Sequence, residues 1–171
     1  MSLRILILFI TSLSFFTLLI AANSQSKDHR AATTGLKTRQ TRTRATAKIT
    51  VQSSEVKPYD QTMSPALTEI HIIEMFTGDI DGESTVRALA LQRDDKSASQ
   101  VSMQRFSGKL AGRQGAFVLQ GSETVRNGKI EATWFVVPGS GTGALSGLRG
   151  EGGFEGGFGK GSDGWLDYWF E

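Results

Sequence analysis

The sequence has no cysteine, only 3 prolines, and 2 histidines. Without cysteine there is no disulfide, no thiol catalysis and no thiolate metal site, so the fold must stand on its apolar core. In an exported chain this suits a bacterial route better than a disulfide-stapled scaffold. Of the two histidines, His29 falls in a basic segment outside the folded part, which leaves His71. A Ser-His-Asp triad would need His71 as its base, and no nucleophile elbow accompanies it. A metal site built from one histidine and carboxylates has no supporting pattern, and no cofactor is implied. A helical stripe is missing too: no ten-residue window of the folded part keeps one apolar face at helical period.

What is present begins with an address. Arg4 precedes Ile5 to Ala22, apolar apart from Thr11, Ser12, Ser14 and Thr17. Ala22-Asn23-Ser24 then offers small residues at the two positions a signal peptidase reads. Residues 1–24 are expected to be a secretory signal, cut after Ser24 or after Ala22, with a periplasmic or secreted product. The alternative is an uncleaved membrane anchor over residues 5–22, just long enough to span a bilayer. The formal charge of +2 hides an asymmetry. Lys27, Arg30, Lys37, Arg39, Arg42, Arg44 and Lys48 stand against one Asp in residues 27–48. Residues 49–171 carry 11 basic and 16 acidic side chains, a balance of −5. Residues 25–43, rich in Thr and Ala, read as a basic disordered linker, either a solvated spacer or a stretch drawn to anionic lipid, cell-wall polymer or nucleic acid. The acidic domain lacks the basic-aromatic interleaving of a nucleic-acid binder, so no such partner is expected of it. Residues 44–171 are enough for one well-buried core.

Within that domain apolar residues recur with period two. "LTEIHIIEMF" places Ile70, Ile72 and Phe76 on one face and His71, Ile73 and Met75 on the other. "STVRALALQ", "GAFVLQGSETV", "KIEATWFVV" and "GWLDYWF" keep the same rhythm. Several strands have no fully polar face, as a closed or double-layered sheet requires. Turn chemistry separates the runs, most strongly at Asn127-Gly128, where both residues tolerate the positive φ of a tight hairpin. An all-β fold is expected, a closed antiparallel barrel of about eight strands.

More than half of the 20 glycines lie between Val136 and Ser162. Gly139-Ser140-Gly141-Thr142-Gly143-Ala144 matches a dinucleotide-binding fingerprint in letters. That fingerprint needs a following helix to hold the pyrophosphate, and the glycines at 147, 150, 152 and 153 forbid one. The segment reads instead as two short strands with a close-packed crossing that bends the sheet shut.

"FTGDIDGEST", "FSGKLAGRQGAFVLQ", "TWFVVPGSGTGALSGLRGEGGFE" and "LDYWFE", in that order, resemble the mainly bacterial domain-of-unknown-function family numbered 3224, over residues 44–171. "GSGTGALSGLRGEG" is also similar, more loosely, to the glycine motif of allene oxide cyclases and dirigent proteins. That likeness implies an eight-stranded antiparallel barrel holding apolar small molecules, with relatives that tend to trimerise. It carries over no activity.

A site in such a barrel would be polar side chains facing inward among apolar ones. Glu83 and Arg105 are candidates for a buried ion pair doing acid–base catalysis. Gln104, Gln120, Trp134 and Tyr168 are candidate ligand-binding residues, with Gln120 and Tyr168 orienting a ligand oxygen and Trp134 and Phe135 also readable as core. Glu151 and Glu155 flank the glycine run. Three functions follow: an exported barrel binding a small apolar or amphipathic molecule, a cofactor-independent isomerase or cyclase, or an assembly module with a filled core that forms a dimer or trimer.

Overall fold

A computed structural model describes residues 41–94 and 96–171; the signal expected over 1–24, and the expected linker apart from its last residues, lie outside them. Among the described residues, eight antiparallel strands form a next-neighbour ring. They are β1 (Thr43–Asp60), β2 (Leu67–Gly78), β3 (Ile80–Asp94), β4 (Ser97–Leu110), β5 (Arg113–Arg126), β6 (Lys129–Val136), β7 (Leu148–Gly157) and β8 (Gly161–Phe170). β8 pairs back onto β1, from Thr43 opposite Tyr168 to Ile49 opposite Ser162, and so closes the barrel. The barrel expected from period two is therefore the observed fold. Alternation holds residue by residue: in β3, Ser84, Val86, Ala88 and Ala90 are buried and the residues between them are exposed. Asn127 and Gly128 both take positive φ (53° and 73°), as their hairpin demands.

The glycine segment differs from the expected pair of strands. Residues 137–142 form a loop, Gly143–Leu145 a single 3-10 turn, and only β7 is a strand. The loop continues the pairing along β5 where β6 has ended. Thr142 donates its N–H to the Ala116 carbonyl (2.8 Å), the Ala116 N–H bonds the Thr142 hydroxyl (3.0 Å), and the Val118 N–H bonds the Ser140 hydroxyl (3.0 Å). The "GSGTG" letters thus satisfy strand donors that would otherwise be orphaned. Leu145 and Leu148 beside them are fully buried.

The two ends of the barrel are unlike. At the closed end Phe76, Ile80, Phe106, Leu110, Phe117, Leu145, Leu148 and Leu166 fill the interior. Phe106 packs at a tilt on Phe117 with centroids 4.9 Å apart and meets Phe76 edge-on at 5.6 Å. Gly82 and Gly108 face each other under the Phe106 ring. A Cβ on either would sit 2.7 Å from the other's Cα, so only glycine allows the strands this close. At the opposite end β1 outruns β8: beyond Ile49 it pairs with β2 alone. There Val51 and Val56 are exposed. The other hairpins of that rim are tied together, the Gly128 N–H bonding the Lys96 carbonyl (3.2 Å) and the Phe158 N–H the Gly128 carbonyl (3.0 Å).

Candidate functional site

The open half of the barrel contains a cavity of about 220 Å³. Its existence follows from side-chain size. The inward positions here include Ala88, Ala90, Ala98, Gly121 and Ala132, where the closed end carries Phe and Leu. Apolar walls come from Ile49, Val51, Val56, Ile70, Ile72, Val86, Ile130 and Phe154. Between them a polar belt crosses the lumen: Glu74 from β2, Ser84 from β3, Gln100, Ser102 and Gln104 from β4, and Glu123 from β5.

The belt is tightly connected. Gln104 Nε2 donates to Glu74 Oε2 (2.6 Å) and to the Ser84 hydroxyl (2.6 Å). The Ser102 hydroxyl donates to Glu123 Oε1. Gly121 makes room for that contact, since a Cβ there would lie 2.6 Å from Glu123 Oε1 and 2.7 Å from Ser102 Oγ. Glu123 is only 7% exposed, and its Oε2 has no hydrogen-bond partner among the described residues. Such an atom is costly to bury, and its free lone pairs are a place for a ligand donor.

Desolvation disfavours the charged form of a carboxylate. Burial accordingly pushes the Glu74 carboxyl up to about 7; the Gln104 and Ser84 hydrogen bonds oppose the shift and the nearby Glu123 charge adds to it. Burial also raises Glu123, against the Ser102 hydrogen bond. Glu74 therefore titrates near neutral pH and can take or give a proton there. Among the described residues no three His, Asp or Glu side chains converge as a metal site would require.

Of the candidates chosen from sequence, Gln104 is in this belt, 4% exposed. Trp134 and Tyr168 are core. Trp134 packs on Phe154 (5.3 Å) and its indole N–H crosses β7 to the Trp165 carbonyl (3.1 Å), while Tyr168 meets the Phe170 ring edge-on. Gln120 is exposed on the outer face. Glu83 and Arg105 are also on the outer face, opposite Ser107 and Thr85, so the expected buried ion pair does not exist: strand parity turns both away from the lumen. Glu151 is exposed and pairs with Arg42 (3.0 Å), which also lies over the Trp169 ring. The end of the expected linker is thus held on the barrel. Glu155 is exposed. His71 sits outside between Glu69 (2.8 Å) and Arg87. Glu74 and Glu123 were missed, although "TEIHIIEMF" and "FVLQGSETV" place them in phase with Phe76 and Leu119.

A broader depression, about 850 Å³, crosses the outer wall from Glu69 to Glu151. One register row runs through it: Arg87, Met103, Gln120, Phe135, Glu151. Its charges are partnered, Arg87 by Glu69 and Glu151 by Arg42, so it lacks the unmet polar demand of the lumen.

Comparison with known proteins matches the barrel domain to one family. The model for "Protein of unknown function (DUF3224)" covers residues 45–171. The chain belongs to the DUF3224 family. A crystal structure of a DUF3224 protein of unknown function from Shewanella oneidensis MR-1 is 27% identical, with a TM-score of 0.60 over 76% of this chain and 98% of that one. No curated protein matches. DUF3224 membership thus accounts for the barrel, and what the lumen does must be argued from its residues.

Proposed function

We propose that this DUF3224 barrel binds a small amphipathic molecule in its lumen, with the apolar part along Ile70, Ile72, Ile130 and Phe154 and the polar end on the Glu74–Glu123 belt. One observation carries this reading: Glu123 Oε2 is buried and unpartnered beside an apolar-walled cavity of about 220 Å³. A scaffold packed solid would have no reason to bury a carboxylate in this way. We also place the protein outside the cytoplasm, on the signal read in residues 1–24.

The test is a native mass spectrum of the chain produced with its own leader, followed by denaturation and extraction. A small molecule at near-unit occupancy is the expected result. A ligand-free mass, with no thermal stabilisation by a panel of amphiphiles, overturns the proposal in favour of an assembly module. The same spectrum reads cleavage after Ser24 or Ala22, and any dimer or trimer.

Acid–base catalysis of the isomerase or cyclase kind is the second reading, favoured by Glu74 titrating near 7 inside the lumen. It predicts that Glu74→Gln keeps the fold and binds the co-purified molecule but no longer converts it.

A further inference from the structure

Building on the lumen-binding reading, we propose that the polar end of the ligand is a cation: the cavity is a site for a small organic ammonium carrying a short hydrocarbon tail. The geometry points to positive charge in three ways. Glu74 and Glu123 project into one cavity from β2 and β5, and the other lining residues are neutral: Gln92, Gln100, Gln104, Ser54, Ser102, Ser162, glycines and apolar side chains. Two acids thus face each other with no counter-cation among the described lining residues. Their protein partners also leave demand unmet. The Ser102 hydroxyl takes Glu123 Oε1 and Gln104 takes Glu74 Oε2, while Glu123 Oε2 is left bare. An ammonium carries three donors and no acceptor, which suits acceptors left over between two carboxylates.

The third line is electrostatic. Burial raises both carboxyls, and the Glu123 charge further raises Glu74. A cation seated between them reverses each of these effects, so it binds best where both acids are ionised. A neutral donor such as an alcohol satisfies Glu123 Oε2 and leaves the charge uncompensated. A bare metal ion fits poorly, because the walls are hydrocarbon and no third acid or histidine joins the pair among the described residues. The volume sets the size, since about 220 Å³ falls below the roughly 300–1,000 Å³ of drug-sized pockets. The tail points along Ile130, Phe154 and Ile72 toward the mouth between β1 and the β7–β8 turn.

The test is calorimetric titration of the purified full chain at pH 8 with n-hexylammonium chloride, n-hexanol and sodium hexanoate. The amine is expected to bind saturably, at least about tenfold more tightly than the alcohol, and the carboxylate not at all. Glu123→Gln should lower amine affinity about tenfold and leave n-hexanol within twofold, and Glu131→Gln, on the outer face, should change neither. Should Glu123→Gln fail to fold, the three-probe comparison on the native chain decides alone. Equal affinity for amine and alcohol overturns the cation and leaves the amphipathic-ligand reading standing. Binding by none of the three overturns both.

Discussion

The same strands build both ends of this barrel, yet what they carry inward differs. Toward the closed end β2, β4 and β5 contribute Phe76, Phe106 and Phe117, all at most 1% exposed. A few residues along, the same strands contribute Glu74, Gln104, Gln100 and Glu123, with alanines and Gly121 between them. One half is a packed interior and the other a lumen. The stability of the first frees the second to bury polar groups that weaken the fold, which is the usual division between scaffold and site.

The sharpest way to break this contrast is Phe106→Ala. The ring is wholly buried between Phe76 and Phe117, and its loss should cost roughly 3–5 kcal/mol in urea unfolding followed by tryptophan fluorescence. A loss below about 1 kcal/mol would mean that the aromatic cluster does not hold the barrel together.

Glycine gives a second comparison. At Gly152 a Cβ would stand 2.1 Å from the Trp165 carbonyl and 2.8 Å from the Trp134 indole nitrogen, directly in the path of the Trp134–Trp165 hydrogen bond. Gly152→Ala is expected to cost about 3 kcal/mol and to weaken the near-ultraviolet dichroism of the indoles. Gly159, in the β7–β8 turn at the open rim, has nothing within 4 Å of such a Cβ and only its φ of 74° to defend. Gly159→Ala should cost about 1 kcal/mol, from backbone conformation alone.

The lumen acids make the open half pH-sensitive, with a definite sign. The folded chain holds the Glu74 proton up to about 7, whereas the unfolded chain releases it near 4.5. Below 4.5 both states are protonated and nothing is lost. Between 4.5 and 7 only the unfolded chain gives up its proton, so stability falls as pH rises, by up to about 3 kcal/mol, and then levels off. Glu74→Gln should flatten this slope, matching the native chain at pH 4 and exceeding it at pH 8 in thermal melts. An unchanged slope would mean that Glu74 is solvated in the folded state.

Much of this was legible in the sequence. Period two in "LTEIHIIEMF" and "STVRALALQ" marked strands with two alternating faces without saying which turns inward, and Asn127-Gly128 marked a hairpin. The site was harder because its residues break the expectation that carboxylates face water. Glu74 stands in phase with Ile70, Ile72 and Phe76, and Glu123 with Phe117 and Leu119, so strand parity alone marks both as inward. Glu83 and Arg105 read as a charge pair by residue type alone, while the same parity sends them outside with Thr85 and Arg87. What no pattern of letters could supply is that β1 outruns β8, because strand pairing between the two ends of a chain sets that difference.

Val56 tests whether the open rim serves binding rather than stability. It lines the cavity where β1 pairs on one side only, and it is 60% exposed. Truncating so exposed a side chain removes little buried area, and Val56→Ala should leave the unfolding free energy within about 0.5 kcal/mol. If the hydrocarbon tail of a bound amphiphile leaves the lumen along this wall, the same substitution removes contacts made only in the complex, and n-hexylammonium affinity should fall roughly two- to fivefold. A change in affinity without a change in stability would mark the overhanging β1–β2 hairpin as part of the binding surface. The reverse result would make the hairpin an ordinary structural edge, with the ligand held wholly by the belt below it.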